Sequence, residues 1–156
     1  MGSEMCIRDR TYSNDWELGS GVVLFGNRFS RNMGISGLVS GPGTLEAFNF
    51  GSNTLSLDNV NNTFSGGVVV DATNNATTVR VNNEDGSLGA VPATVDPDNI
   101  TLRNQGRLTL AGIILDSNRG ITLDGGGIIS NANNPNTYGG TITGTGGLTI
   151  LSLIHI

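Results

Sequence analysis

Apolar and polar side chains alternate in short runs along much of the chain, as in Val79-Arg80-Val81, Ile100-Thr101-Leu102, Leu108-Thr109-Leu110 and Ile121-Thr122-Leu123. A period of two is the signature of strands buried on one side, so Ile100, Leu102, Leu108 and Leu110 are expected to point inward and Thr101 and Thr109 outward. Gly and Asn, which tolerate the backbone conformations of tight corners, separate the runs. No stretch of helical length keeps a 3.6-residue apolar spacing free of turn residues, so the prediction is all-β.

The runs recur. Val79, Ile100, Ile121 and Ile142 stand 21 residues apart, and a second column, Leu108, Ile128 and Leu148, steps by 20. A unit this short cannot bury an apolar face alone, but units stacked along an axis can. The expected fold is a parallel β-solenoid of roughly six or seven coils of about 21 residues, with equivalent strands paired in parallel about 4.8 Å apart. Ile, Val and Leu would fill the bore, and Asn pairs such as Asn61-Asn62, Asn74-Asn75 and Asn133-Asn134 would take corners or form ladders.

Composition narrows the function. The chain of 156 residues has 24 Gly and 19 Asn, no Lys, and 13 acidic against 8 basic residues, for a net charge of −5. That balance argues against a nucleic-acid partner, which needs clustered cations. No apolar run reaches the length of a membrane span.

The two ends match each other at the level of DNA. ATG TGT ATA AGA GAC AG encodes Met5-Cys6-Ile7-Arg8-Asp9 and the start of Arg10. Its reverse complement, CTG TCT CTT ATA CAC AT, encodes Leu151-Ser152-Leu153-Ile154-His155 and the start of an Ile codon. The tag resembles the transposon mosaic end of sequencing adapters. Residues 1–10 and 151–156 are therefore read as an adapter-derived scar, not native, and 11–150 as a single solenoid segment, an uncapped fragment expected to continue at both ends. Excluding the scar removes the one Cys (Cys6) and the one His (His155). With them go the obvious nucleophile, base and zinc ligands.

A family resemblance rests on local motifs. Asn62-Thr63-Phe64-Ser65-Gly66-Gly67-Val68 resembles the Asn-Thr-Tyr-Ser-Gly-Gly-Thr signature of the autotransporter-associated β-strand repeat, and Asn136-Thr137-Tyr138-Gly139-Gly140-Thr141 is a second copy without the Ser. Val39-Ser40-Gly41-Pro42-Gly43-Thr44-Leu45 and Ile142-Thr143-Gly144-Thr145-Gly146-Gly147-Leu148 resemble its Ile-Ser-Gly-x-Gly-x-Leu element, and Gly86-Ser87-Leu88-Gly89 its Ala-Leu-Gly turn. The resemblance covers Ser36 to Ile150 and leaves Thr11 to Ile35 outside. It implies a right-handed parallel β-helix in the passenger region of a bacterial surface-exposed or secreted protein, with no catalytic residue, cofactor or metal ligand to carry over.

Other features have competing readings. Asp96-Pro97-Asp98-Asn99 and Glu84-Asp85 are the densest acidic spots and would suit Ca²⁺ or glycosidase chemistry; Pro92 and Pro97 favour a solvated excursion between coils over Gly89 to Asn99. Arg103, Arg107 and Arg119 with Asp116 and Asp124 would suit a polysaccharide lyase, against a reading as scattered solubilising charges. Trp16, Phe25, Phe29, Phe48 and Phe50 are expected to stack in the bore. Asn61-Asn62-Thr63, Asn75-Ala76-Thr77 and Asn99-Ile100-Thr101 match the glycosylation pattern, as chance allows in an Asn- and Thr-rich chain.

The expected role is a non-catalytic spacer, display stalk or adhesion scaffold at the bacterial cell surface or secreted. Its partners would be adjoining coils and host or neighbouring-cell surface molecules. The rivals are a carbohydrate-active β-helix enzyme and a Ca²⁺-binding solenoid. The isolated fragment should associate end to end through its open coils.

Overall fold

A computed structural model describes residues 10–26, 31–82, 84–132 and 135–152. The positions of Phe29, Asn133, Asn134, Cys6 and His155 lie outside them. Six coils follow one another, each running along three sides. Coil 1 holds β1 (Arg10–Tyr12), β2 (Trp16–Glu17) and β3 (Val22–Gly26); coil 2 holds β4 (Met33–Ile35), β5 (Val39–Ser40) and β6 (Thr44–Phe48). Coil 3 has β7 (Thr54–Leu57) and β8 (Val68–Asp71), and coil 4 has β9 (Thr78–Asn82), a 3-10 turn (Asp85–Leu88) and β10 (Asp96–Arg103). Coil 5 has β11 (Gly106–Ala111), β12 (Ile114–Leu115) and β13 (Arg119–Asp124); coil 6 has β14 (Gly127–Asn131), β15 (Thr137–Tyr138) and β16 (Ile142–Gly144), and β17 (Leu148–Ser152) begins another.

The strands form one seven-stranded sheet (β1-β4-β7-β9-β11-β14-β17), one six-stranded sheet (β3-β6-β8-β10-β13-β16) and, on the third side, the pairs β2-β5 and β12-β15. Every pairing is parallel. This is the β-solenoid predicted from the alternation. Arg10 pairs with Met33, and Leu151 and Ser152 pair with Ser130 and Asn131, so strand pairing runs into the residues assigned to the scar.

The bore is built from rows of aligned side chains. Leu45, Val68, Ile100 and Ile121 form one row and Ala47, Val70, Leu102 and Leu123 the next, all buried. The other large sheet contributes Leu55, Val79 and Leu108 beside Leu57, Val81 and Leu110. Thr101 and Thr109 face outward and are only partly covered, as the period of two requires.

The register corrects both columns. Val79 pairs with Leu108, in a different sheet from Ile100, whose neighbours are Val68 and Ile121. Leu108 stands opposite Ile129, and Gly127 opposite Leu148, an offset of 21 residues in each case. The first error has a physical source in coil 4, where the offset grows to 29 residues between Val79 and Leu108 and to 32 between Val68 and Ile100. The added length is the excursion expected near Pro92 and Pro97, and it throws a strand of the wrong sheet into phase. Among the aromatics, Phe25 and Phe50 are buried, and Trp16 packs against the core with its ring centroid 5.8 Å from that of Phe25. Phe48 instead lies outside, its ring over Gly26 where a β-carbon would stand.

Candidate functional site

The signature positions perform the same task in two coils. Asn62 and Asn136 each turn a side-chain oxygen back onto the preceding coil, accepting the N–H of Val39 and of Ile113 at 2.8 Å. The next residue completes the bridge, with Thr63 and Thr137 donating to the carbonyls of the same two residues at 2.8 and 2.9 Å. Asn62 also donates to the Ser87 carbonyl of the following coil at 2.9 Å. One buried amide thus ties three coils together, where an aliphatic side chain would leave backbone groups orphaned.

The aromatic position then fills the third side. Phe64 is fully buried, and Tyr138 packs on the core with its hydroxyl 2.7 Å from the Arg119 carbonyl and 2.9 Å from that of Thr141. Desolvation pushes the Tyr138 phenol above its ordinary pKa. Thr63 and Ser65 are exposed, as are Thr137 and Gly139. Gly66 backs onto the Gly43–Thr44 backbone, Gly67 (φ 78°) faces the Asn99 carbonyl, and Gly140 lies under the Tyr138 ring.

The two Gly-x-Gly elements do not occupy equivalent places. Gly41 and Gly43 turn the chain from β5 into β6, leading to buried Leu45; Gly144 and Gly146 turn it from β16 towards β17, leading to half-buried Leu148. Gly41 nevertheless faces the Leu18 carbonyl and Gly144 that of Leu123, one coil back in each case. Close backbone approach at any corner selects the same spacing, so the motif marks corners and not one phase of the repeat.

Arg119 is the largest fully buried side chain, not a surface charge. Its Nε lies 2.9 Å from both carboxylate oxygens of Asp85. Its terminal nitrogens donate to the carbonyls of Asp85, Leu88, Gly89 and Ala90 at 2.7–3.4 Å and to the Asn99 side chain at 2.8 Å. A guanidinium can be buried this way because its charge is matched and its five N–H groups find acceptors. The result is a pin through the coil-4 excursion. Asp85 was recognisable only as an acidic residue near a turn; its partner stands 34 residues away in sequence.

The remaining charges form a separate group. Arg103 lies on the outer face of the six-stranded sheet with Asp124 at 2.9 Å, Asp71 at 3.5 Å and Glu46 at 3.9 Å. The Asp124 hydrogen bond leads in raising the Arg103 pKa, with the three negative charges together outweighing desolvation. Partial burial pushes the Asp71 carboxyl up, but hydrogen bonds from Thr73 and the Arg103 charge outweigh it and hold the pKa below the ordinary range.

The lyase-type set is not brought together. Arg119 and Asp124 stand at opposite ends of β13, about 16 Å apart at the usual strand rise, and Asp116 caps the Asn118 N–H near Asp85. Asp96 and Asp98 serve the excursion: Asp96 accepts the Asp98 N–H at 3.2 Å, and Asp98 accepts the Thr122 hydroxyl at 2.7 Å. Among the described residues no three His, Cys, Asp or Glu side chains gather as a metal centre, and no helix is long and apolar enough to cross a membrane. Comparison with known protein families, curated proteins and solved structures finds no match to this chain.

Proposed function

We propose that the chain is a non-catalytic structural and display segment of a bacterial surface-exposed or secreted protein of the autotransporter passenger type, acting as a rigid spacer or adhesion scaffold. The observation that supports this reading best is the use made of the signature Asn-Thr-Phe/Tyr positions: at Asn62 and Asn136 alike they bridge successive coils, so the motif is spent on stacking. The last coil leaves Ile142, Ile150 and Leu151 exposed at strands that pair on one side only, which suits a stack that continues in a longer protein.

The test is to express the chain between a secretion signal and an outer-membrane β-barrel and to follow its exposure. Degradation by protease added outside intact cells supports display, whereas retention inside folded cells overturns it. In parallel, the purified chain is incubated with acidic and neutral polysaccharides. New reducing or unsaturated ends that vanish in Arg103→Ala would overturn the non-catalytic reading.

A further inference from the structure

A groove of about 370 Å³ runs along the corner between the two large sheets, lined by Ser52, Thr78, Asn104, Gln105 and Arg107 over a small apolar floor that includes Ala72 and Ile128. Its volume falls at the lower end of ligand pockets, about 300–1,000 Å³. No carboxylate lines it. Arg107 projects outward from β11 in the row between Thr78 and Ile128 and makes no ion pair among the described residues. The other two arginines of coils 4 and 5 whose charge is matched, Arg103 and Arg119, are held by Asp124 and Asp85.

The two amides beside it are fixed by the backbone. Asn104 and Gln105 have φ of 50° and 69°, a conformation unfavourable for residues with a β-carbon. Their N–H groups are tied to the carbonyls of Asp124 and Gly126 at 2.7 and 3.0 Å. Their side chains rest over Gly125 and Gly126, where β-carbons would collide with both amides. Asn104 Nδ2 donates to Thr73 at 2.6 Å and Gln105 Nε2 to the Gly125 carbonyl at 3.4 Å, which leaves the amide oxygens turned to other donors. The groove therefore offers one uncompensated cation, fixed amide acceptors, two hydroxyls and a narrow apolar strip.

We propose that this groove binds an acidic saccharide, with Arg107 taking the carboxylate of a uronate unit and the Asn104 and Gln105 amides its ring hydroxyls. A guanidinium pairs a carboxylate in two parallel hydrogen bonds. Amide oxygens accept from hydroxyls, and the strip of Ala72 and Ile128 meets the C–H face of a sugar ring. A polyphosphate is a poorer match, since one cation would leave most of its charge unpaired. The site goes beyond the spacer role and stands independently of it.

The test is calorimetric titration of the full chain with α-1,4-trigalacturonate. Saturable binding is expected, about tenfold weaker in Arg107→Gln, the loss of one charge-assisted contact. Gln105→Ala should weaken it without changing charge. Arg80→Gln, on the same sheet outside the groove, should leave it unchanged, and circular dichroism melts establish that each variant is folded. Lack of saturable binding by trigalacturonate and by a glucuronate oligomer overturns the proposal. So does equal loss in Arg80→Gln, which would mean diffuse attraction. Binding of inorganic sulfate as tightly as the trisaccharide, or of neutral maltotriose as tightly as the acid, overturns it as well.

Discussion

Replacing Arg119 by methionine keeps much of the aliphatic volume and removes the guanidinium. The Asp85 carboxylate, whose side chain is only 15% exposed, then loses its countercharge, and the carbonyls of Leu88, Gly89 and Ala90 lose their donor. Breaking a buried pair from one side costs about 3–5 kcal/mol, because the stranded charge stays desolvated. Partial water access at Asp85 places the expected loss at the lower end, about 3 kcal/mol, still a large share of the roughly 5–15 kcal/mol that keeps a domain folded. The loss should appear in the urea midpoint and as local opening. Thermolysin, which cuts before apolar residues, should nick the variant at Leu88, Val91 or Val95 well below its unfolding transition. Arg119→Lys should fall between wild type and the methionine variant, since an ammonium keeps the charge but not the fork. Arg119→Met combined with Asp85→Asn should be more stable than Arg119→Met alone. A methionine variant within about 1 kcal/mol of wild type, or a double variant no better than the single, would refute the buried pin.

Leu102→Asp should cost several kcal/mol by burying an unpaired charge, while Thr101→Asp, one residue along and facing out, should cost far less; equal losses in thermal melts would refute the register. Asn62→Ala should cost about 1–3 kcal/mol by orphaning the buried Val39 N–H, and Asn62→Asp should not restore it, since the Ser87 carbonyl then loses its donor; urea denaturation decides. The phenol of Tyr138 has a folded pKa above its unfolded value near 10, so its contribution is complete below pH 10 and lost as pH rises through the folded value; Tyr138→Phe should flatten that alkaline decline in a melt series. For Asp71 the folded pKa is below the unfolded one, so its contribution is present above about pH 4 and lost as pH falls through the folded value, a decline that Asp71→Asn should remove. The exposed Ile150 and Leu151 edge should drive end-to-end association, read as a rise in weight-average mass with concentration in sedimentation and absent on fusing a polar coil.

Strand identity and facing were legible because burial on one side imposes a period of two on each strand, and Leu108, Leu110, Ile100 and Leu102 are all buried as that period demands. Pairing was less legible. Parallel coils are matched by offset, and an inserted segment in one coil shifts every later frame, so Val79 fell into phase with Ile100 although the two belong to different sheets. The Asn62 and Asn136 bridges were visible as a motif but not as a mechanism, since only the stacked backbone shows which N–H each oxygen meets. The Arg119–Asp85 pair left no signal: its partners are brought together by the path of the excursion, which obeys no period. Arg107 looked like its neighbours Arg103 and Arg119 until their carboxylates were placed.

The coil-4 excursion also explains why a buried arginine belongs in a stack otherwise held by backbone. On the third side, the Val39 carbonyl accepts from Thr63, that of Phe64 from Ala90 and that of Ile113 from Thr137, so each coil satisfies the one before it. In coil 4 the 3-10 turn and the chain after it replace the strand, and its carbonyls at Leu88, Gly89 and Ala90 meet the Arg119 guanidinium where a run of N–H groups would otherwise stand. A guanidinium is suited to this because it presents several donors in one plane on a single side chain. Asp85 then neutralises it and accepts the Asp116 N–H at 3.2 Å, returning one backbone bond to the ladder. Side chains thus carry the hydrogen bonding across the one coil whose backbone departs from the repeat, and the bore rows Val68–Ile100–Ile121 and Val70–Leu102–Leu123 pass through it unbroken. The inserted length is accommodated on the third side alone, leaving both large sheets in register.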